Sequence, residues 1–200
     1  MSWALLPLAY LLGAFPSSYV AGRLKGIDLR QHGSGNLGAT NAFRILGWRA
    51  AVPVMIGDVA KGWVPAALFP LWAGAEALEW PVAYGGAAIL GHVYSVFMGF
   101  KGGKGVATSA GVFLALAPWA AMIGAIVWGV SVLLTRIVSV GSLLAALVFP
   151  VAVFATNEPR MVFWVSVAVA AFVIFVHRAN VGRLLRGEEN RFGRNAERAG

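Results

Sequence analysis

"KGVATSAGVFLALAPWAAMIGAIVWGVSVLLTR", residues 104–136, is the stretch on which the fold turns. It is long, carries no charge between Lys104 and Arg136, and is interrupted at Pro118. A membrane crossing takes about 20 apolar residues. Cytoplasmic loops collect Lys and Arg, so a segment with a base at each end starts and finishes on one side. We therefore expect residues 105–134 to be re-entrant or broken, with a half-helix before Pro118 dipping in from the cytoplasmic side. Backbone of that kind is tolerated in a bilayer only when it is buried in protein or lines a polar cavity.

The whole chain is membrane material. Of its 200 residues, 59% are hydrophobic and only 12% charged, and the mean hydropathy is +0.75 with a pI near 10.6. That composition lies outside the soluble range and leaves room for about five to seven crossings, so we expect one integral membrane domain over residues 1–200 and no separate soluble domain. Cysteine is absent, which removes disulfides, thiolate metal sites and cysteine nucleophiles. No cleavable signal peptide is expected, because nothing basic precedes the apolar run from Trp3, and Arg23, Lys25 and Arg30 follow it. The amino terminus is thus expected outside, with residues 23–49 cytoplasmic.

Apolar segments run over about 3–22, 50–72, 82–98, 109–134, 137–156 and 161–177. The connection "AGAEAL", residues 73–78, has acid and no base, whereas "FKGGKG" (100–105) and the tail from His177 are basic. An external amino terminus and a cytoplasmic tail require an odd number of crossings, and six full spans violate that parity. The expected fold class is an all-α polytopic membrane bundle: about five full crossings plus one or two re-entrant or half-helices, five to seven helices in all. The second half-helix falls at 36–46. Tags at 135 and 158 are expected to report cytoplasm and exterior.

Three polar islands lie on one face of this topology. In "GSGNLGATNAFRILG" (33–47), small residues let a ligand approach the backbone, and Ser34, Asn36, Thr40, Asn41 and Arg44 supply donors. In "GFKGGKGVATSAG" (99–111), Gly102, Gly103 and Gly105 form a turn entering a helix, with Lys101 and Lys104 beside it. Such a turn offers backbone N–H groups and the positive end of the helix dipole, which suit phosphate. It is not a nucleotide P-loop: position 98 is Met and Lys104 is followed by Gly105. A basic interfacial loop touching anionic lipid is the blander alternative. In "HRANVGRLLRGEEN" (177–190), His177 and Asn180 are three apart and share a helical face.

Asp58 and Lys61, three apart in "GDVAKG" (57–62), sit in an apolar segment where an unpaired charge costs roughly 2.5 to 3.5 kcal/mol. A structural ion pair is the favoured reading over direct catalysis. His92 is read as a buried, hydrogen-bonded histidine rather than a ligand or base. No histidine and carboxylate set has metal spacing, so no metal and no cofactor is expected. The His, four residues, Asp pattern of soluble acyltransferases is missing: Leu37, Phe97 and Gly182 stand at the fifth position after His32, His92 and His177. So is the run of spaced aspartates of CDP-alcohol phosphotransferases.

Taken in order and spacing, "GSGNLGATN" with Arg44, "GDVAKG", "GHVYSVFMGFKGGKGVAT" (91–108) and "HRANVGRLLRGEEN" resemble the bacterial acyl-phosphate-dependent glycerol-3-phosphate acyltransferases, the PlsY family. The likeness spans nearly the whole chain. Ser95 departs from it, since that family usually has proline there. The resemblance implies an enzyme of the bacterial inner membrane that opens phospholipid synthesis. It would move a fatty acyl group from acyl phosphate to the 1-hydroxyl of sn-glycerol 3-phosphate, releasing lysophosphatidic acid and phosphate, with its site and carboxyl terminus cytoplasmic. It further implies that the loop at 102–105 with Lys104 holds glycerol phosphate, that Ser34 and Arg44 orient phosphate groups, that His177 and Asn180 sit over the reacting carbonyl, and that Glu189 is structural. The proton acceptor is either His177 or the donor phosphate, with the phosphate preferred and His177 and Asn180 acting as polarising donors. Membrane lipid is the expected surrounding and nucleic acid is not a partner. Two other classes compete: an organophosphate carrier, which needs a site open to both sides, and a non-catalytic lipid-binding scaffold.

Overall fold

Proline or glycine stands where several helices of this chain stop: at Pro16, Gly47, Gly74 and Pro118. The computed structural model describes residues 2–192, so the polar extension at 193–200 lies outside the described residues. Ten α-helices follow in order: α1 (Leu5–Ala14), α2 (Ser17–Arg23), α3 (Ala39–Leu46), α4 (Trp48–Ala73), α5 (Glu79–Val93), α6 (Val106–Leu116), α7 (Pro118–Thr135), α8 (Val138–Ala155), α9 (Arg160–Val176) and α10 (Arg178–Leu185). Two short 3-10 turns, Ser2–Ala4 and Val96–Met98, complete them, and no strand occurs among the described residues.

The fold is the all-helical membrane type expected, and the run at 104–136 breaks at its proline. Ala117 takes a non-helical conformation (φ −152, ψ 69) and Pro118 becomes the first residue of α7, where a missing N–H is harmless. With 11 residues, α6 is about 16 Å long and too short for a 30 Å hydrocarbon core. The 18 residues of α7 reach about 27 Å, and α7 is long and apolar enough to cross, so the run expected to be re-entrant is a short helix followed by a candidate span. A helix also stands where the second half-helix is expected, the eight-residue α3.

Four helices are long and apolar enough to cross, or up to six when the bent pairs α1–α2 (40°) and α9–α10 (57°) each count once. Ten helices arise rather than five to seven because α7 follows α6 as a helix of its own and because two segments gain a further helix: the one at 3–22 breaks, and the one at 161–177 is followed by α10. Pro16 ends the first, since it can donate no hydrogen bond and Phe15 N–H turns to Leu12 O instead. The second bends at His177, with no proline or glycine at the corner.

Two compact units result, Met1–Leu116 and Ala117–Gly200. In the first, helices touch backbone to backbone. A Cβ on Gly13 or Gly91 would overlap the carbonyls of Ala88 and Tyr10, joining α1 to α5, and one on Gly62 or Gly111 would overlap those of Thr108 and Val59, joining α4 to α6. Such contacts are how membrane helices gain packing energy where lipid removes the hydrophobic drive between them. At one end, Leu29, Leu37, Ala42, Leu46, Ala51 and Val54 form a buried cluster, against which Met98 packs. The loop 24–38 and the turn at 96–98 are thereby held to the start of α4. In the second unit α8 packs on both α7 and α9, and Phe192 N–H donates to Arg136 O at 2.8 Å, folding the tail over the α7–α8 turn.

Candidate active site

The first island is built around Asn41, which is 1% exposed. Its Oδ1 accepts from Ser34 N–H at 3.0 Å, and its Nδ2 donates to Leu29 O at 3.2 Å and His32 O at 3.0 Å. These bonds curl residues 29–34 over the start of α3. Gly33, at φ +65, has a backbone that favours glycine, and a Cβ there would overlap Asn41 Oδ1. Asn41 is thus a positioning residue whose amide is engaged by the loop, not a group turned to a ligand as the sequence led us to expect. Ser34 is exposed, and Asn36, Thr40 and Arg44 are half-buried. Thr40 and Arg44, four apart on α3, share a face.

Asp28 and Arg30 close the same loop, Arg30 Nη2 lying 2.6 Å from Asp28 Oδ2. This side-chain bonding holds the Asp28 carboxyl down at about 2. The Arg30 guanidinium also stacks 5.0 Å over the Tyr19 ring, so this cation is committed to the loop.

The second island departs from expectation in one respect. Gly102 N–H donates to Val93 O at 2.9 Å and Gly103 N–H to His92 O at 3.1 Å. Helix ends leave their last carbonyls without partners, and the loop supplies them for α5. The N–H groups of Gly102 and Gly103 are therefore used within the protein rather than turned to phosphate. The space these glycines leave is equally telling. A Cβ on Gly103 would overlap His92 Nε2 and lie 2.9 Å from Leu37 O. Gly103 is where the first two islands meet. Lys101 is exposed, Lys104 is half-buried and Gly105 is buried at φ +79, just before the first turn of α6.

Behind this loop lies the membrane charge cluster. Lys61 Nζ is 2.8 Å from Asp58 Oδ1, with the two side chains 6% and 3% exposed. Ser17 Oγ donates to Asp58 Oδ1 at 3.0 Å, and His92 Nδ1 lies 3.8 Å from the same oxygen. Lys61 Nζ also donates to Phe15 O at 2.9 Å, while Ser95 Oγ donates to Ala14 O at 2.6 Å. The Ala14 and Phe15 carbonyls at the α1–α2 break thus both accept side-chain bonds from far along the chain, Phe15 O beside the 3.1 Å bond it accepts from Ser17 N–H. Ser17, Ser95 and these carbonyl bonds carried no signal in the sequence, because their partners are far away along the chain.

The third island belongs to the second unit. His177 is at the α9–α10 corner, 3% exposed, with Nδ1 2.7 Å from Val173 O. A carbonyl only accepts, so Nδ1 carries the proton. Asn180 Nδ2 donates to Glu189 Oε1 at 2.8 Å, and Arg183 Nε donates to Glu189 Oε2 at 2.7 Å. Glu189 therefore ties Asn180 to Arg183, a residue the sequence reading did not single out although it lies three beyond Asn180. Among the described residues, no group of three His, Asp or Glu is placed to hold a metal.

Comparison with known proteins agrees along nearly the whole chain. The family model for glycerol-3-phosphate acyltransferase matches residues 3–187. The glycerol-3-phosphate acyltransferase of Chlorobaculum parvum is 42% identical, with 96% of this chain and 98% of the relative covered. That of Anaeromyxobacter dehalogenans is 46% identical, covering 94% and 95%. A crystal structure of PlsY, an integral membrane glycerol 3-phosphate acyltransferase, in its glycerol 3-phosphate form superposes with a TM-score of 0.90 at 41% identity, covering 96% of both chains. Its lysophosphatidic acid form gives 0.88 at 40% identity, covering 96% of this chain and 95% of that one.

Proposed function

This chain belongs to the glycerol-3-phosphate acyltransferase family, and from that membership we propose how it works: an acyl phosphate donates its acyl group to the 1-hydroxyl of sn-glycerol 3-phosphate. The enzyme is an integral membrane acyltransferase, and its reaction fits the first step of phospholipid synthesis. The attacking hydroxyl oxygen forms the ester bond, the bond between carbonyl carbon and phosphate oxygen breaks, and lysophosphatidic acid and inorganic phosphate leave. An acyl phosphate is a mixed anhydride with a good leaving group, so no covalent enzyme intermediate is needed. Positioning and charge stabilisation suffice.

The observation that carries this reading is the meeting of two anion-suited loops at Gly103, with a lysine in one and an arginine in the other. Lys104 holds the phosphate of glycerol 3-phosphate, assisted by Lys101 and by the N–H groups of the first turn of α6. Ser34, Asn36, Thr40 and Arg44 orient phosphate oxygens, the guanidinium through its fork. Gly102 and Gly103 shape the loop against His92, Gly105 lies against Val93 and Ile89, and Asn41 fixes its neighbour.

For His177, Nδ1–H is bonded to Val173 O, which fixes the ring at the α9–α10 corner. We assign the ring the positioning of the attacking hydroxyl, whose oxygen lone pair faces the carbonyl carbon, while the departing phosphate takes the proton. Asn180, oriented by Glu189, polarises the acyl carbonyl. A His177→Gln variant keeps an acceptor and is expected to retain part of the rate. A His177→Phe variant is expected to lose it.

The charges favour a bacterial inner-membrane orientation with the amino terminus outside and the site cytoplasmic. Arg23, Lys25, Arg44, Arg49, Lys101 and Lys104 fall in or beside the connections at one end of α4 and α5, and Glu76 and Glu79 at the other. Purified protein given palmitoyl phosphate tests the chemistry. Phosphate release is expected to require glycerol 3-phosphate, to yield lysophosphatidic acid, and to fall about 100-fold or more in Lys104→Ala. Turnover with acyl thioesters alone would reject the donor.

A further inference from the structure

The imidazole of His92, only 6% exposed, stands between the charge pair of α4 and the loop that follows α5. At one end, Nδ1 lies 3.8 Å from Asp58 Oδ1, beyond the roughly 3.2 Å of a hydrogen bond. This buried nitrogen has no hydrogen-bond partner among the described residues. Asp58 is served without it, by Lys61 Nζ at 2.8 Å and Ser17 Oγ at 3.0 Å. At the other end, Nε2 crowds the point that a Cβ on Gly103 would occupy, and Leu37 O lies 2.9 Å from the same point.

A buried nitrogen left unpaired is costly, so a histidine kept in that state calls for a reason. The Asp58 end supplies none, because the carboxylate already has its cation and its hydroxyl. The Gly103 end does. Gly103 N–H donates to His92 O at 3.1 Å, and its missing side chain leaves the room that the ring takes. One residue thus meets Gly103 twice: the backbone bond fixes the direction of the loop, and the ring limits how far it can settle toward α5. Lys104 is the next residue and α6 begins at Val106, so the height of Gly103 is passed directly to both.

We infer that His92 is a positioning residue for glycerol 3-phosphate: its ring props Gly103 and so sets where Lys104 and the first turn of α6 meet the phosphate. This rests on the reading above that the loop at 102–105 with Lys104 holds that phosphate. The prop stands on a base fixed by two bonds, those of Lys61 and Ser17 to Asp58, and a binding group needs such support to keep its place. Without the ring the loop settles, and a shift of about 1 Å is enough to misplace a bound group. The cost falls on glycerol 3-phosphate and spares the acyl donor.

Two amides at position 92 separate the two ends of the ring, since an Asn side-chain nitrogen reaches the place of Nδ1 and a Gln nitrogen that of Nε2. Purified wild-type, His92→Asn and His92→Gln enzymes are assayed with glycerol 3-phosphate and palmitoyl phosphate, each varied in turn. His92→Asn is expected to raise KM for glycerol 3-phosphate about tenfold or more, with kcat and KM for palmitoyl phosphate within about threefold of wild type. His92→Gln is expected to keep all three values within about threefold. Gly103→Ala, whose Cβ would overlap Nε2, presses on the prop from the loop side; it is expected to reproduce the His92→Asn effect and decides the matter if that variant does not fold. Asn serving as well as Gln, Gln failing as badly as Asn, or an equal rise in KM for both substrates makes the residue merely structural and overturns the inference. A Lys104→Ala variant with an unchanged KM for glycerol 3-phosphate defeats the reading of the loop, and the inference falls with it. A raised KM there, beside unchanged values in both His92→Asn and Gly103→Ala, overturns the inference alone.

Discussion

Helices α6 and α7 come from one apolar run and have opposite surroundings. On α6, Thr108, Ser109, Gly111, Val112 and Phe113 are buried, with Gly111 pressed against the α4 backbone. On α7, Trp119, Met122, Ile126, Val130, Leu133 and Leu134 are exposed, and only Ala120, Ala121 and Gly124 are buried. Hydropathy does not separate them. Small and hydroxyl side chains do, because in lipid only close backbone approach rewards one helix for leaving the bilayer and packing on another. A membrane segment dense in Gly, Ser and Thr thus marks the protein interior, and one dense in Leu, Ile and Trp marks the lipid face.

The largest expected effect breaks this contrast at its root. Gly111→Leu, whose Cβ would overlap Val59 O, is expected to abolish the folded protein in size exclusion and thermal melting. Gly129→Leu on α7, where nothing lies within 4 Å, is expected to leave the melting temperature within about 2 °C. Comparable losses in both would refute the distinction. Next comes the charge pair on α4, the helix that α6 packs on. Lys61→Met strands a buried carboxylate and is expected to cost about 3–5 kcal/mol, and adding Asp58→Asn should return much of it. A double variant no better than the single one would argue against a neutralising pair.

Smaller still is Thr108→Val. Thr108 is fully buried and its Oγ1 has no hydrogen-bond partner, so the isosteric swap is expected to change stability by no more than about 1 kcal/mol and to leave it unchanged or raised. A larger loss would reveal a bond to that hydroxyl. Least of all is Asp28→Asn at the exposed Asp28–Arg30 pair. The folded-state pKa of Asp28 is lowered to about 2, so its contribution is complete above the ordinary carboxylate pKa of about 4 and fades as pH falls through 2. Melting curves of variant and wild type are expected to differ slightly and uniformly from pH 5 to 8 and to converge near pH 2. A difference that widened on acidification would reverse the sign.

How much of this was legible follows from where each signal resides. Pro118 and its flanking bases announce the break in the run at 104–136, since a proline acts on its own turn. Pro16 offered the same warning within an apolar segment and was passed over as a single span. The His177 corner has no such residue, and the bond that the ring Nδ1–H donates to Val173 O forms only once the corner exists. The three polar islands stand out by composition, but the fate of the glycine N–H groups does not. Whether Gly102 and Gly103 face a phosphate or the end of α5 depends on orphan carbonyls whose direction only the folded chain reveals. The Asp58–Lys61 pairing was visible at three-residue spacing, whereas its links to Ser17, Phe15 and His92 were not.

The break between α1 and α2 also has a place in time. The carbonyl of Phe15 is satisfied by a lysine 46 residues later, and that of Ala14 by a serine 81 residues later. At about 5–20 residues per second, the ribosome delivers that serine about 4 to 16 s after Ala14. Until then Phe15 O has only the nearby Ser17 N–H, at 3.1 Å, to accept from, and both side-chain bonds wait on residues still to be made. The bend of the first span is therefore completed late, by side chains that lie well beyond it in the chain.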